Sequence, residues 1–175
     1  MKFSIIINTH NQEQYLKRAI NSCLIQKIKS YEIIVADTSK KKNYEIRKKY
    51  KKYKKIKFLD LKAKYGLPER NQLYKILKGL RISKGKYLLL LDGDDYFSRT
   101  KLSIINNLLK KNIDFTFNQD RPILFNEYNK EEIKILKNKF YKNLKLFKFL
   151  VNKWPNVFGT SSITIKKDIL NNFFK

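Results

Sequence analysis

Tyr87-Leu88-Leu89-Leu90-Leu91 runs directly into Asp92-Gly93-Asp94-Asp95, and this stretch decides the fold. A short apolar run without alternation is typical of a strand buried on both faces, as in a parallel sheet. Three carboxylates follow its C-terminal end, which is where open α/β sheets bind their ligands. Like charges this close repel one another, so three neighbouring carboxylates need a reason. One explanation is that they bind a divalent cation that holds a phosphorylated ligand. The other is a strand-terminating turn, in which Asp and Gly are common.

The segments around this strand follow the order of an α/β protein. Strands are predicted at 3–7, 31–36 and 56–61, with apolar residues at helical spacing between them. Asn11 is expected to cap the first helix, with Gln14 completing a capping box. This β-α-β series predicts a single Rossmann-like α/β domain with a mostly parallel central sheet flanked by helices. Further helices are predicted over 40–57, from Pro68 onward, from Leu102 to Leu109, and over 131–152. The buried face of the helix that begins at Pro68 is expected to carry Leu73, Ile76, Leu77 and Leu80. Further strands are predicted at 113–117 and at 160–165, the latter exposed or antiparallel.

The composition favours anionic partners without choosing among them. The chain has 175 residues, 42% of them hydrophobic, and a formal net charge of +25. That length and apolar content suit one domain with a real core and exclude a disordered chain. Nucleic acid, anionic lipid, nucleotide phosphates and acidic polymers all fit the charge, and so do lysines that merely solvate the surface. A basic nucleic-acid-binding protein therefore stays an alternative, although no nucleic-acid-binding motif is present.

Cysteine content and hydropathy indicate the compartment. Cys23 is the only cysteine, so an internal disulfide framework is excluded and a reducing environment fits. The apolar run at 3–7 is too short for the hydrophobic region of a signal peptide. No segment reaches the roughly 20 apolar residues of a membrane-spanning helix. A cytoplasmic protein is expected, and the basic helices predicted over 40–57 and 131–152 suggest peripheral docking on the anionic inner face of a membrane.

Polar residues follow several of the predicted strands at the same topological position. Thr9 and Asn11 follow the first strand, Asp37 follows the second, and the carboxylate cluster follows the strand at 87–91. The C-terminal ends of parallel strands meet in one crevice, so these side chains are expected to lie together. Arg70, in the first turn of the helix after Pro68, could pair with a phosphate there. Its alternative role is a surface ion pair with Glu69 or Asp92.

Four segments, in the same order, resemble the family 2 glycosyltransferases. Residues 4–11 (SIIINTHN) resemble their S-I-I-I-P-T-Y-N, with Asn8 in place of proline and His10 in place of tyrosine. Residues 32–39 (EIIVADTS) resemble E-I-I-V-V-D-D-G-S, with Thr38 in place of the second acid, and residues 66–71 (GLPERN) resemble G-x-x-x-A-R-N, with Glu69 in place of alanine. Residues 85–95 (GKYLLLLDGDD) are similar to G-E-Y-I-L-F-L-D-S-D-D.

The resemblance implies a GT-A fold, a nucleotide-sugar donor that is usually a UDP-sugar, a divalent metal and transfer with inversion. Thr9 and Asp37 would contact the uridine, with Asp37 hydrogen-bonded to the uracil, and Arg70 would help hold the nucleotide. Asp92 and Asp94 would lie at the ribose and the diphosphate. The predicted nucleotide-sugar-binding residues are thus Thr9, Asn11, Asp37, Arg70, Asp92 and Asp94, and the predicted ligands of Mn²⁺ or Mg²⁺ are Asp94 and Asp95.

The same resemblance leaves the catalytic base unidentified. Residues 1–118 would form the donor-binding half, and residues 119–175 a partial acceptor-side region of the same domain. Residues 158–167 resemble the family segment that lines the acceptor side, although an alternating strand without ligand contact is also consistent. The carboxylate that takes the acceptor proton is expected further along than this chain extends, since Asp168 looks like a surface residue and Asp120 is a weak alternative.

Two functions remain open at this point. The first is a hexosyltransferase acting on a glycan or lipid-linked acceptor in surface polysaccharide or glycoconjugate biosynthesis. The second is a catalytically incomplete fragment or subunit that binds a sugar nucleotide without transferring the sugar, because the base is not evident. No specific nucleic-acid partner is expected in either case.

Overall fold

The computed structural model describes residues 1–40, 43–110, 117–119, 123–125, 132–135, 139–141 and 159–169. A 3₁₀ turn at Thr160–Ser162 precedes the last strand. The helices are α1 (Glu13–Leu24), α2 (Tyr44–Tyr50), α3 (Pro68–Ile82) and α4 (Lys101–Lys110), and the strands are β1 (Phe3–Thr9), β2 (Tyr31–Asp37), β3 (Ile56–Asp60), β4 (Tyr87–Asp92), β5 (Phe117–Gln119), β6 (Ile123–Phe125), β7 (Glu132–Ile135), β8 (Lys139–Tyr141) and β9 (Ile163–Lys166).

The main sheet has the strand order β3-β2-β1-β4-β9-β5-β8. The strands β3, β2, β1 and β4 are parallel, while β9, β5 and β8 continue the sheet in antiparallel fashion. A separate antiparallel pair joins β6 to β7. The chain leaves β1 toward β2 and β3 and then returns to place β4 on the other side of β1. Strand order therefore reverses between β1 and β4, which makes their C-terminal ends the topological switch point.

Helices cover both faces of the central strands, as a buried parallel sheet requires. Ile5 and Ile7 face the core shared with α1, α2 and α4. Ile6, Leu88 and Leu90 face the core shared with α3. All of these side chains are at most 3% exposed, and burying each contributes roughly 1.5–3 kcal/mol. The prediction of a strand buried on both faces is confirmed.

Several helix predictions need correction. Gln12, and not Asn11, is the N-cap residue of α1, and no side chain caps this helix. Asn11 has a φ of 53°, a left-handed conformation incompatible with the extended backbone of a capping residue. On α3, Leu73 is 43% exposed instead of buried. Within the predicted helix over 40–57, only α2 is helical among the described residues, although Ile46 and Tyr50 are buried as expected.

The predictions for the last third of the chain are partly wrong. The continuous helix expected over 131–152 is contradicted by β7 and β8, and its other residues lie outside the described ones. Of the strand expected at 113–117, only Phe117 is described, as the first residue of β5. β9 is antiparallel to β4 as predicted, and Ile163, Thr164 and Ile165 are buried and not exposed. Among the described residues, no helix is long and apolar enough to span a bilayer.

Cys23 is expected to resist thiol reagents for as long as the protein stays folded. It is 0% exposed on α1, and burial raises the pKa of its thiol to about 12. The thiolate is the reactive form, so both access and ionisation are suppressed. An Ellman titration at mild alkaline pH should show no reaction until urea unfolds the chain, and then one thiol per chain. Rapid stoichiometric reaction without denaturant would show that α1 is not packed as described.

Candidate functional site

The ends of the three central parallel strands bring the predicted polar residues together. Thr9 of β1 is in register with Asp37 of β2, and Asn8 is in register with Asp92 of β4. Thr9 and Asp37 are at most 1% exposed, whereas Asp92 is partly accessible. The switch point therefore has a buried polar floor beside an accessible carboxylate.

Asp92 is the centre of this hydrogen-bond network. Its Oδ1 accepts bonds from Asn8 Nδ2 (2.6 Å) and Gln72 Nε2 (2.9 Å), and its backbone N–H donates to Ser161 Oγ (2.9 Å). Burial raises the pKa of Asp92, and the neighbouring charges of Asp95 and Asp94 raise it further, against the two side-chain hydrogen bonds. An additional cation would therefore stabilise the ionised form.

The loop after β4 is packed closely against the end of β1. A Cβ on Gly93 would lie 2.6 Å from Thr9 Oγ1 and 2.7 Å from Gln12 Oε1, so any larger residue would force these side chains to shift. The guanidinium of Arg18 donates to the Asp94 carbonyl (2.9 Å) and lies 4.7 Å from the Tyr96 ring centroid. These contacts fix the backbone from which the last two carboxylates project.

Asp94 and Asp95 are both exposed at the mouth of the crevice. Partial desolvation raises the pKa of Asp95, and the Asp94 charge adds to this, while a hydrogen bond from Ser161 and the charge of Arg18 oppose it. Among the described residues, no group of three or more His, Cys, Asp or Glu side chains forms a ready metal cage. Mg²⁺ commonly binds to one or two carboxylates together with substrate phosphates. The cluster thus fits a metal that is shared with a phosphorylated ligand, and not an all-protein site.

A lysine that the sequence analysis did not single out lies beneath the crevice. Lys75 of α3 is 6% exposed, and its Nζ donates to the Thr9 carbonyl (3.2 Å). Burial lowers the pKa of Lys75, while the nearby charges of Asp92 and Asp37 oppose that shift. Its position in the chain, next to the buried Ile76, was the only available signal. Lys75 supplies positive charge between two buried strand ends.

Asp37 organises the loop that follows β2. Its Oδ1 accepts from the Ser39 N–H (2.8 Å) and its Oδ2 from Asn43 Nδ2 (2.9 Å). The exposed Asn11 then joins this loop to the β1–α1 loop, because its N–H donates to Ser39 Oγ (2.8 Å). The left-handed backbone of Asn11 is one that asparagine tolerates better than most residues. Both loops thus form one continuous wall on the β2 side.

Arg70 is exposed in the first turn of α3, two residues before Gln72. Among the described residues, it has no hydrogen-bond or ion-pair partner, so the alternative of an ion pair with Glu69 or Asp92 is not formed. The next residue, Asn71, instead supports the preceding loop by accepting from the N–H groups of Lys64 (2.9 Å) and Tyr65 (3.0 Å). The guanidinium of Arg70 therefore remains available.

The turn before β9 closes the crevice on the other side of β4. Ser161 Oγ accepts from the Asp92 N–H and donates to Asp95 Oδ2, and Thr160 Oγ1 accepts from Gln72 Nε2 (3.0 Å). The alternative that residues 158–167 form only a strand without contact to the site is therefore wrong. Sequence reasoning singled out the segment but missed these roles, and it also missed Asn8. The replacement of the family's proline by Asn8 was a signal, because a proline side chain cannot donate to Asp92.

Replacing Ser161 with alanine is expected to loosen the carboxylate cluster. The change removes the acceptor of the Asp92 N–H and the donor to Asp95, which should cost about 1–2 kcal/mol of unfolding free energy. Urea titration followed by circular dichroism measures this loss. Ser103→Ala on α4 is the matched control, since none of the hydrogen bonds described for the cluster involves that hydroxyl. Equal urea midpoints for the two variants would contradict the bonding described for Ser161.

Comparisons with known proteins agree with this geometry. The model of the family described as Glycosyl transferase family 2 matches residues 4–170. The chain is 29% identical over 165 residues to an uncharacterized glycosyltransferase of Rickettsia conorii. The aligned region covers 94% of this chain and 25% of that protein. The chain is also 36% identical over 114 residues to the poly(ribitol-phosphate) beta-N-acetylglucosaminyltransferase TarP of Staphylococcus aureus, covering 63% of this chain and 34% of TarP.

A solved structure gives the same fold. The crystal structure of residues 1–349 of Staphylococcus aureus TarS in complex with UDP-GlcNAc superposes with a TM-score of 0.55 at 27% identity, over 63% of this chain and 32% of that one. The chain thus spans from a quarter to about a third of the length of these relatives. With the family match over nearly the whole chain, the expected GT-A fold is confirmed, and the protein belongs to glycosyltransferase family 2.

Proposed function

We propose that this chain binds a UDP-sugar at the switch point and transfers the sugar, with inversion, to a hydroxyl group of a glycan or lipid-linked acceptor. The observation that carries the proposal is the Asp92 network, in which a partly accessible carboxylate is held between β1, α3 and the turn before β9. The names of the relatives support it, since TarP is a glycosyltransferase acting on poly(ribitol phosphate) and TarS is described with UDP-GlcNAc. The same comparison supports a role in surface polysaccharide or glycoconjugate biosynthesis as part of this proposal.

The floor and walls of the crevice suit the parts of such a donor. The uridine would lie over Thr9 and Asp37, beside Asn11 at the rim. Each Asp37 oxygen accepts one hydrogen bond in the structure, and because this side chain is only 1% exposed, a bond from the imide N–H of uracil would require Ser39 or Asn43 to move aside. The exposed guanidinium of Arg70 would hold the nucleotide through a phosphate. Asp92 would accept bonds from the ribose hydroxyls.

A divalent metal fits the outer carboxylates. Asp94 and Asp95 would hold Mn²⁺ or Mg²⁺ jointly with the diphosphate, since both project from a loop fixed by Arg18 and Ser161. When bound, the ion would offset the negative charge that develops on the leaving diphosphate. Ser161 already donates a hydrogen bond to one oxygen of Asp95, so Asp94 has more carboxylate oxygen atoms open to a metal.

The transfer itself needs a proton acceptor. The acceptor oxygen bonds to the anomeric carbon as the bond from that carbon to the diphosphate breaks, UDP departs, and the hydroxyl proton passes to a general base. We assign this role to none of the crevice carboxylates, because Asp92 would bind the ribose, and Asp94 and Asp95 would bind the metal. Asp168 is exposed, as predicted, and Asp120 lies outside the described residues. A fragment or subunit that binds the donor without transfer is therefore the alternative proposal.

A donor panel tests the proposal. Isothermal titration with UDP-GlcNAc, UDP-glucose and GDP-mannose, with and without Mn²⁺, should show binding of the UDP-sugars that requires the metal. Incubation with a polyol-phosphate acceptor should release UDP and give a product of opposite anomeric configuration by NMR. Binding without any release of UDP would favour the alternative. Failure of every nucleotide sugar to bind would overturn both proposals.

A further inference from the structure

Exposed lysines crowd the end of the sheet opposite the crevice. The connections from α1 to β2, from α2 to β3 and from α3 to β4 each lead into the start of a parallel strand, so they share one edge of the sheet. The crevice lies at the other edge, where these strands end. We call the lysine-rich edge the basic end, and its exposed lysines include Lys27, Lys29, Lys51, Lys54, Lys84 and Lys86.

Hydrogen bonds join these connections into one surface. The Lys2 N–H donates to the Ser30 carbonyl (3.2 Å), and the Tyr87 N–H donates to the Lys2 carbonyl (3.0 Å). On the far side of β4, the Lys167 N–H donates to the Lys86 carbonyl (2.9 Å). The lysines therefore project from a braced platform, and their backbones do not need to be ordered when a partner binds.

The acidic residues are distributed the other way. Within residues 1–40, 43–110 and 159–169, the carboxylates at the basic end are Glu32 and Asp168. Glu32 is 2% exposed and paired with Lys57 (2.9 Å), so Asp168 alone offers surface negative charge there. A uniform lysine bias over a solvated surface would place acidic side chains at both ends. The remaining carboxylates of those ranges follow strands or begin helices at the crevice end: Glu13, Asp37, Glu45, Asp60, Glu69, Asp92, Asp94 and Asp95.

Aliphatic side chains are exposed among these lysines. Ile25, the C-cap residue of α1, is 53% exposed, and Ile82, the last residue of α3, is 39% exposed. Both positions lead into connections of the basic end. Lysines gain free energy near an anionic leaflet, and apolar side chains gain it by entering the interface. A soluble polyanion would use the lysines but gain nothing from these isoleucines.

We propose that the basic end docks the protein on an anionic lipid bilayer, with the crevice directed away from the membrane. Six residues of β4 separate the two ends, or about 20 Å at about 3.3 Å per residue. If the proposed function holds, the acceptor group is then one that extends from the bilayer, such as the distal end of a lipid-linked glycan. The docking itself does not rest on donor binding.

Vesicle co-sedimentation of the full chain tests the docking. The probes are vesicles of phosphatidylcholine alone and of equimolar phosphatidylcholine and phosphatidylglycerol. We expect binding to the anionic vesicles only, weakening as salt rises. Neutralising four lysines together, Lys27→Gln, Lys29→Gln, Lys84→Gln and Lys86→Gln, should lower the partition coefficient about fivefold per lysine. Ile25→Ser should lower it several-fold without changing the charge.

The matched control removes the same charge from the other end. It combines Lys17→Gln, Lys40→Gln, Lys62→Gln and Lys64→Gln, all at exposed positions, and should partition like the unmodified protein. The proposal would be overturned if both fourfold variants lost the same share of vesicle binding, or if the protein bound neutral and anionic vesicles equally. It would also be overturned if Ile25→Ser left vesicle binding unchanged and soluble polyphosphate bound the protein as tightly as the vesicles do. UDP binding by the variant that neutralises lysines of the basic end, expected to be unchanged, separates a failure of docking from a failure of the donor site.

Discussion

Replacing Asp92 with asparagine is expected to lower the affinity for a UDP-sugar about 100-fold while the fold stays intact. Hydrogen bonds to charged groups contribute about 1.5–3 kcal/mol, and the upper end of this range corresponds to about 100-fold in binding. The amide oxygen of the variant can still accept from Asn8 and Gln72, so the network that holds residue 92 survives. Isothermal titration with UDP-GlcNAc and Mn²⁺ measures the loss.

The same variant should be no less stable at neutral pH, and this separates a binding defect from unfolding. Burial raises the pKa of Asp92 in the folded chain. Between the unfolded and the folded pKa the native state therefore holds more protons, so stability falls as pH rises through that window. The burial of the ionised carboxylate therefore costs stability at neutral pH, and asparagine removes this cost, while the lost attraction between Asp92 and Lys75 offsets part of the gain.

Asp168→Asn is the matched control for the loss of one carboxylate. Asp168 is exposed beyond β9 and takes no part in the network, so its variant should bind the donor as the unmodified protein does. Equal affinity of the Asp92 and Asp168 variants would remove Asp92 from the donor site. A large fall in the thermal midpoint of Asp92→Asn would instead make it a structural residue.

Gly85→Ala is expected to have the largest effect on stability. A Cβ at this position would lie 2.4 Å from both Phe3 C and Ser4 N, which are backbone atoms of β1 and cannot rotate away. The Gly85 N–H also donates to Ser4 Oγ (2.8 Å), which in turn donates to Glu32 Oε1 (2.8 Å). Overpacking typically costs about 1–3 kcal/mol, and a clash with backbone belongs at the upper end. Urea unfolding measures the change.

Gly66→Ala provides the control for this substitution. No atom lies within 4 Å of a Cβ built at Gly66, and its backbone is not left-handed. Alanine there should be neutral or stabilise by about 0.4–1 kcal/mol, because it restricts the unfolded chain. If both glycine variants unfold at the same urea concentration, β1 and the connection before β4 are not as close as described.

The central fold could be predicted because its signals are local. The apolar run at 87–91 and the isoleucines at 5–7 can only be buried from both sides, and the β-α-β order then fixes a parallel sheet. The order of the polar residues along the chain placed Thr9, Asp37 and Asp92 at the same edge. These inferences need periodicity and topology, and no knowledge of side-chain contacts.

The remaining features depend on pairings that a single sequence does not encode. Lys75 looks like any other lysine of a basic chain until α3 packs it beneath Thr9. Ser161 reaches Asp92 only because β9 pairs antiparallel with β4. The lysine-rich stretch at 131–152 has helical periodicity, but β8 within it pairs with β5, so tertiary pairing overrode local pattern. Asn11 has a capping side chain in a backbone conformation that cannot cap.

Anomalous diffraction at the manganese edge, from crystals of the full chain grown with UDP and Mn²⁺, tests the central claim most directly. We predict one strong peak about 2.1 Å from a carboxylate oxygen of Asp94 or Asp95, by analogy with the distance for Mg²⁺. The diphosphate should bridge to this ion, and the uracil should lie over the ends of β1 and β2. UDP and manganese bound at any other place, with the Asp92 network unoccupied, would contradict the assignment of this crevice as the donor site.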